Sequence, residues 1–394
     1  MKKPNLPLFL YFLTSFAFAS ADNPPLYASF VQCLSEQKIP NDVASQIVST
    51  PNTPQFSTVL NSYIRNRRFN TSATPRPGLI VAPTSEAHVS ATVVCAVRLE
   101  IHLRIRSGGH DYEGTSYVSG ERRFAMLDMS NFRSIDVDAA GRTAWPITRN
   151  RTRTVRATFV GQYLGPGRNL LNVTARYFPK LGLTRSSCHE MPWIQSVLYW
   201  DDRTNLTRSP EELLNRNPNS AGYLKRKSDY VKKPIPVNGL NRIFDEIIRG
   251  GQVGMVFNSY GGVNSRIPAT ATPFPHRDGN LFKIQYSVSW DNGSDSEDFV
   301  RQSRELYEFM TPYVSENPRQ AYFNYRDLDI GVMPAGESSY GQGKVYGEKY
   351  FKENFDRLVK IKTRVDPRNF FRNEQSIPTA QRGGGDAVGR RVNA

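Results

Sequence analysis

Cysteine is scarce in this chain, with three residues in 394, at Cys33, Cys95 and Cys188. None of them, and none of the five histidines, falls at zinc-site spacing, which excludes a fold built around a Cys/His metal centre. Long apolar runs are also missing. The one continuous stretch, Leu6 to Phe18, is too short to cross a bilayer comfortably. No internal repeat, nucleic-acid motif, Ser/His/Asp set or carboxylate pair stands out. Acidic residues are in the minority, 36 against 51 Lys and Arg, for a formal net charge of +15. The basic residues are scattered, so the charge points to attraction for polyanions, which in a cell wall would be acidic polysaccharides, and not to nucleic acid.

What is present describes a globular protein. Hydrophobic residues make up 39% and aromatics 11%, and the length suits two domains. Lys2 and Lys3, the apolar run and the small residues Ala19-Ser20-Ala21 read as a signal peptide over 1–21. That predicts a secreted, extracellular protein with no membrane span. An oxidising compartment favours one disulfide and one leftover thiol, and spacing alone leaves the pair open. Sequons at Asn70, Asn150, Asn172, Asn205 and Asn292 would then be glycosylated surface positions. Residues 382–394 read as a flexible basic tail.

Periodicity gives an α+β chain. "LYASFVQCLSEQ" reads as a short helix, Leu79–Val81 as a strand, and Ser85 as the cap of a helix through "AHVSATVVCAVRLE". The next strand alternates Ile101, Leu103, Ile105 with His102, Arg104, Arg106, then breaks into Ser107-Gly108-Gly109-His110. "RRFAMLDMS" is a further strand, followed by a hairpin turning near Ala140-Gly141. Beyond Arg151, "TVRATFVGQYLG", "GMVFNSYGG" and "LFKIQYSVSW" are strand-like. "RNLLNVTARYFPKLG", "LNRIFDEIIRGG", "SEDFVRQSRELYEFMTPYV" and "EKYFKENFDRLVKIKTRV" are helical, giving a sheet with helices on one face. In 281–290, Lys283 and Gln285 share one face of the strand, with Ile284 on the other.

"PTSEAHV" followed by "RSGGHDYEG" resembles the plant berberine bridge enzyme-like family, flavoproteins with a PCMH-type (vanillyl-alcohol oxidase type) FAD domain. "YGG…IPATATPFPHRDGNLFKIQYSVSW", "YFNYRDLDIG" and "KYFKENFDRLVKIKTRVDPRNFFRNEQSIP" agree, so the resemblance covers nearly all of residues 25–380. It implies an oxidoreductase that passes a hydride to FAD from an alcohol of a carbohydrate or phenylpropanoid such as a monolignol, in a monomer. Arg106, Ser107, Gly108 and Gly109 would hold the FAD pyrophosphate, and His110 would bond to the flavin ring. Asn324 and Asn369 would close the FAD domain from the C-terminal side. The disulfide would be Cys33–Cys95, leaving Cys188 as a buried structural thiol. Tyr112, Lys283, Gln285 and Tyr325 would line the substrate side.

The resemblance also implies a gap. "GRTAWPIT" runs straight into "RNRTRTVRATFVGQYLG", where the family continues with the second half of the FAD domain. That half carries a second flavin anchor, a cysteine in a Cys-Pro-Thr motif, and no such motif occurs here. The expected organisation is thus a truncated FAD domain (22–147), a substrate domain (148–322) and a C-terminal segment returning to the FAD domain (323–381). Two further readings stand beside the enzyme. One is a non-catalytic relative, unable to hold FAD, that binds wall polysaccharide by charge; the other is a transcript lacking an exon.

For catalysis, a base must take the substrate's hydroxyl proton. Tyr325 or Tyr112 is cast in that role, with Lys283 lowering its pKa by stabilising phenolate. The plainer reading is a strand lysine among satisfied tyrosines. His276 reads either as a flavin-edge residue or as a hydrogen-bonded brace of "PFPHR", and Trp193 and Trp290 as core.

Overall fold

The computed structural model describes residues 26–121, 123–132, 143–144, 155, 159, 161–201, 209–214, 221–250 and 253–380. The signal peptide, the hairpin near Ala140-Gly141, Asn150, Asn205 and the tail lie outside the described residues.

The N-terminal part is an α/β half-domain. It runs α1 (Leu26–Glu36), α2 (Asn41–Ile47), β1 (Val48–Ser49), α3 (Pro54–Ser62), β2 (Leu79–Val81), α4 (Glu86–Arg98), β3 (His102–Arg106) and β4 (Phe124–Asp128). The sheet order is β1-β2-β4-β3, with β4 parallel to both β2 and β3. Every residue of β2 and β4 is buried, as expected for parallel strands covered on both faces. Leu79, Val81, Leu103 and Leu127 meet α1 and α4 on one side, while Ile80 and Met126 meet Phe56, Leu60 and Tyr117 on the other. Ser85 caps α4, its side chain accepting from the His88 amide. The Cys33–Cys95 disulfide joins α1 to α4 across 62 residues of sequence.

Strand β3 corrects the sequence reading of its faces. The polar set His102, Arg104 and Arg106 is buried, while Ile105 is 46% exposed. For the two arginines the reason is ion pairing: Arg106 Nε donates to Asp128 at 2.8 Å, and Arg104 pairs with Glu374. Paired guanidiniums can be buried where lone ones cannot.

A middle stretch follows: β5 (Thr143–Ala144), β6 (Gly161–Gln162), α5 (Gly167–Tyr177), β7 (Cys188–His189) and α6 (Trp193–Asp201), with β6-β5-β7 forming a minimal sheet. Of the long strand expected from "TVRATFVGQYLG", the described residues retain only β6. Cys188 is half-buried and free, not the buried thiol expected. Trp193 is half-buried; Trp290 is core at 5% exposure.

The third part carries β8 (Tyr223–Val231), α7 (Val237–Gly250), β9 (Gly254–Ser259), α8 (Val263–Arg266), β10 (Phe282–Trp290) and α9 (Ser296–Phe309). Its sheet is antiparallel in the order β8-β10-β9. Ile284, Tyr286, Val288 and Trp290 form a core with Ile243 of α7 and with Val300 and Leu306 of α9. Helices therefore cover one face, and alternation puts Lys283 and Gln285 on the other.

The C-terminal segment holds α10 (Tyr340–Phe351) and α11 (Asn354–Val365). "EKYFKENFDRLVKIKTRV" is thus two helices and not one. The chain turns at Lys352, with φ 47°, and buried Asn354 donates to the carbonyls of Ala269 and Thr272. That turn lets Phe355 and Val359 join Tyr346 and Tyr350 in a core of their own. Beyond α11, Phe370 packs back on the N-terminal core.

Candidate functional site

The loop after β3 is tightly constrained on one side and open on the other. Gly109 is buried with φ 63°, and a Cβ there would collide with the Tyr63 carbonyl oxygen, so glycine is required. A Cβ on Gly108 would come within 2.7 Å of His110 Cδ2, so the imidazole lies back over the loop. Among the described residues, the amides of Gly108, Gly109 and His110 donate no hydrogen bond. Ser107 and His110 are exposed. Successive unpaired amides in a turn suit an anion, so these residues fit the phosphate end of a dinucleotide. His110 is pulled below the ordinary imidazole value, first by burial and then by the charge of Arg65.

Two residues further on, Tyr112 joins the face of the third sheet that carries no helices. Gln285 Nε2 donates to the Tyr112 hydroxyl at 3.2 Å. The Tyr112 and Tyr325 rings lie 6.0 Å apart, and Arg226 sits over Tyr112. Lys283 Nζ is 4.1 Å from the centre of the Tyr325 ring and 3.9 Å from that of Tyr322. The structure thus brings together all four residues expected on the substrate side, and adds Tyr322.

Their electrostatics overturn one expectation. Burial raises the Tyr325 hydroxyl, and neighbouring Tyr112, Tyr322 and Tyr260 raise it further. Lys283 lies over ring faces and does not lower it. Instead burial takes Lys283 itself down to about 8. The π faces beneath it favour the ammonium form, so the amine is held near the point of titration.

The remaining predicted residues take supporting places. The Arg106 side chain is fully buried, facing Asp128 and the carbonyls of Val59 and Leu60, away from the loop. Exposed Asn324 donates to the Tyr322 hydroxyl at 3.0 Å. Asn369 is 7% exposed at φ 51°, beside the Phe370 contact with the N-terminal core. His276 is a brace: its Nε2 lies 2.9 Å from the Tyr350 carbonyl, and its ring stacks on Tyr230 at 4.2 Å. Asn70, Asn172 and Asn292 are exposed.

Sequence reasoning missed a buried charge network behind the site. Lys225 Nζ donates to Glu113 at 2.6 Å and to Asp327 at 2.7 Å, while Lys227 reaches Asp327 and Asp329. It fastens the loop after His110 to β8 and to the C-terminal segment. Lys225, Lys227 and Asp229 in the middle of a long strand were the available signal, since buried charges demand partners.

The comparisons agree with this geometry. Residues 77–146 match the family profile described as FAD binding domain, and residues 321–378 match the profile for berberine and berberine like proteins. Berberine bridge enzyme-like 21 of Arabidopsis thaliana is 37% identical, over 94% of this chain and 97% of the relative. Berberine bridge enzyme-like 19 of the same plant is 36% identical, over 95% and 92%. The first of these matches runs over 524 positions against the 394 residues here, so more than a hundred residues of the relative, in total, have no counterpart in this chain. Among solved structures, Phl p 4, a grass pollen allergen with glucose dehydrogenase activity, superposes with a TM-score of 0.81 at 28% identity, covering 90% of this chain and all of that one. The Bermuda grass isoallergen BG60 gives 0.79 at 29% identity, covering 89% of this chain and all of that one. With the loop, the substrate-side cluster and the relatives in agreement, the chain belongs to the berberine bridge enzyme-like family of FAD-binding oxidoreductases.

Proposed function

We propose that this protein is a secreted FAD-linked oxidoreductase acting on an alcohol group of a carbohydrate. The observation that carries the reading is the Gln285–Tyr112 hydrogen bond, which sets the substrate-side cluster two residues from His110. Gly108, Gly109 and His110 would hold the diphosphate on their amides, with His110 as the covalent tether. FAD, when bound, supplies the hydride acceptor. Gln285 and Tyr112 orient the substrate hydroxyl. Lys283 Nζ takes its proton: it shares the open strand face with Gln285, and burial lowers it to about 8, so a fraction of the amine is free to accept at neutral pH. The glucose dehydrogenase activity named for Phl p 4 supports a sugar over a phenylpropanoid. The Cys33–Cys95 bridge suits an oxidising, extracellular compartment.

The visible spectrum of the purified protein, before and after denaturing precipitation, tests this. Yellow colour that survives denaturation and is released in His110→Ala supports the tether. Glucose oxidation should rise with pH through about 8 as Lys283 loses its proton, and Lys283→Met should abolish that rise. A second reading, a colourless non-catalytic relative that binds acidic polysaccharide, draws on the more than one hundred residues of the first relative that have no counterpart in this chain. A soluble protein without flavin absorbance would select it.

A further inference from the structure

The segment Tyr63–Asn66 is fastened beneath the Gly108–Tyr112 loop at two points. At one end the Tyr63 carbonyl sits hard against Gly109. At the other, fully buried Asn66 donates Nδ2 to the Tyr112 carbonyl at 2.8 Å and to the Leu224 carbonyl at 3.1 Å. Arg65 lies between the two fasteners, its own carbonyl accepting from the Gly222 amide at 3.3 Å. Its backbone therefore cannot move away from the loop without breaking contacts on both sides.

The side chain of Arg65 differs from the other arginines nearby. Arg106 is paired with Asp128, Arg68 approaches Glu113 at 3.9 Å, and Arg326 approaches Asp111 at 3.7 Å. Asp111 is further occupied by the Glu113 amide and the Thr115 hydroxyl. Arg65 makes no ion pair among the described residues, and its Nε is buried without a hydrogen-bond partner. Its guanidinium rests 5.9 Å from the centre of the Tyr63 ring, and its charge reaches His110. A cation without a carboxylate thus stands beside three amides without acceptors. Such a set of donors is complementary to a multiply charged planar or tetrahedral anion, and guanidinium can meet phosphate oxygens two at a time.

We propose that Arg65 is an anion-binding residue of this site, holding the diphosphate of a dinucleotide together with the Gly108–His110 amides. The proposal rests on the flavin reading above and adds to it a side chain that the loop motif does not contain. The same chemistry would accept free pyrophosphate, so both sources enter the test.

The experiment is calorimetric titration of the full chain, produced in a riboflavin-starved host so that no flavin is attached, with ADP and separately with inorganic pyrophosphate, in wild type, Arg65→Gln and Arg65→Lys. Losing a charge-assisted contact should weaken both probes by about 10- to 100-fold in Arg65→Gln, with Arg65→Lys in between. ADP binding well above pyrophosphate in wild type would identify the nucleotide as the source, and equal binding a bare anion site; the proposal requires the former. By NMR, the His110 imidazole should titrate higher in Arg65→Gln than in wild type, a change that general loosening of the fold would not single out. Unaltered ADP affinity in a folded Arg65→Gln protein overturns this proposal and leaves the flavin reading standing. A wild-type chain that binds neither ADP nor FAD overturns both.

Discussion

Strand β10, within residues 221–380, and the described residues of 159–181 treat apolar side chains in opposite ways. In the first, Ile284, Tyr286, Val288 and Trp290 of β10 are all buried against α7 and α9. In the second, Phe159 is 68% exposed, Leu164 72%, Tyr177 62% and Phe178 59%. Helix α5 buries only Gly167. Both stretches are rich in apolar side chains, but only β10 has helices packed on it. The exposed stretch follows residue 146, where the FAD-domain match stops. An amphipathic helix is stabilised chiefly by what it packs on, and among the described residues α5 has little to pack on.

The largest expected effect breaks the well-packed side of that contrast. Lys225→Met should cost about 3–5 kcal/mol in denaturant unfolding, because buried Glu113 would keep only Arg68 at 3.9 Å and buried Asp327 only Lys227. A loss under 1 kcal/mol would mean that water reaches this network. Replacing both Cys33 and Cys95 by serine should cost about 2–4 kcal/mol, since the bridge restrains a long loop in the unfolded chain. The loss should appear in the N-terminal half-domain first, as earlier proteolysis there than in residues 221–380.

Acid should act next. Burial lowers His102 to about 4 and His276 to about 3, against 6.5 for a free imidazole. Between 6.5 and those values the unfolded chain binds the protons, so stability falls as pH falls, by up to about 1.4 kcal/mol per pH unit for each histidine. Unfolding measured from pH 7 to 4 should show this slope, and His276→Asn should flatten it. The smallest effect belongs to the exposed stretch. Phe178→Ser should change stability by less than about 0.5 kcal/mol while reducing aggregation in light scattering. A loss like that of a core residue would show that Phe178 has a packing partner, and the contrast between the regions would dissolve.

Much of the site was legible in the sequence because it is local. The alternation of 281–290 put Lys283 and Gln285 on one face, and the two glycines before His110 marked a turn that only glycine can make. The assignment of Arg106 to the cofactor failed for its side chain, because nothing local reveals that Asp128 sits opposite it in the ladder. The single helix drawn through Lys352 failed similarly: its helical pattern is continuous, and the turn is set by where Asn354 finds its carbonyl partners.

By itself, then, the sequence determined the strand–loop that offers amides to an anion, the faces of the central strand and the residues that share them. Only the tertiary structure decided how charge is distributed there. It set Lys283 on the faces of two tyrosines, so that burial lowers the lysine and raises Tyr325, the reverse of the order expected from residue types. It also joined Glu113 to Lys225 across 112 residues. The physical reason is that a pKa depends on desolvation and on neighbours within a few ångströms, and those neighbours come from parts of the chain that only folding brings together.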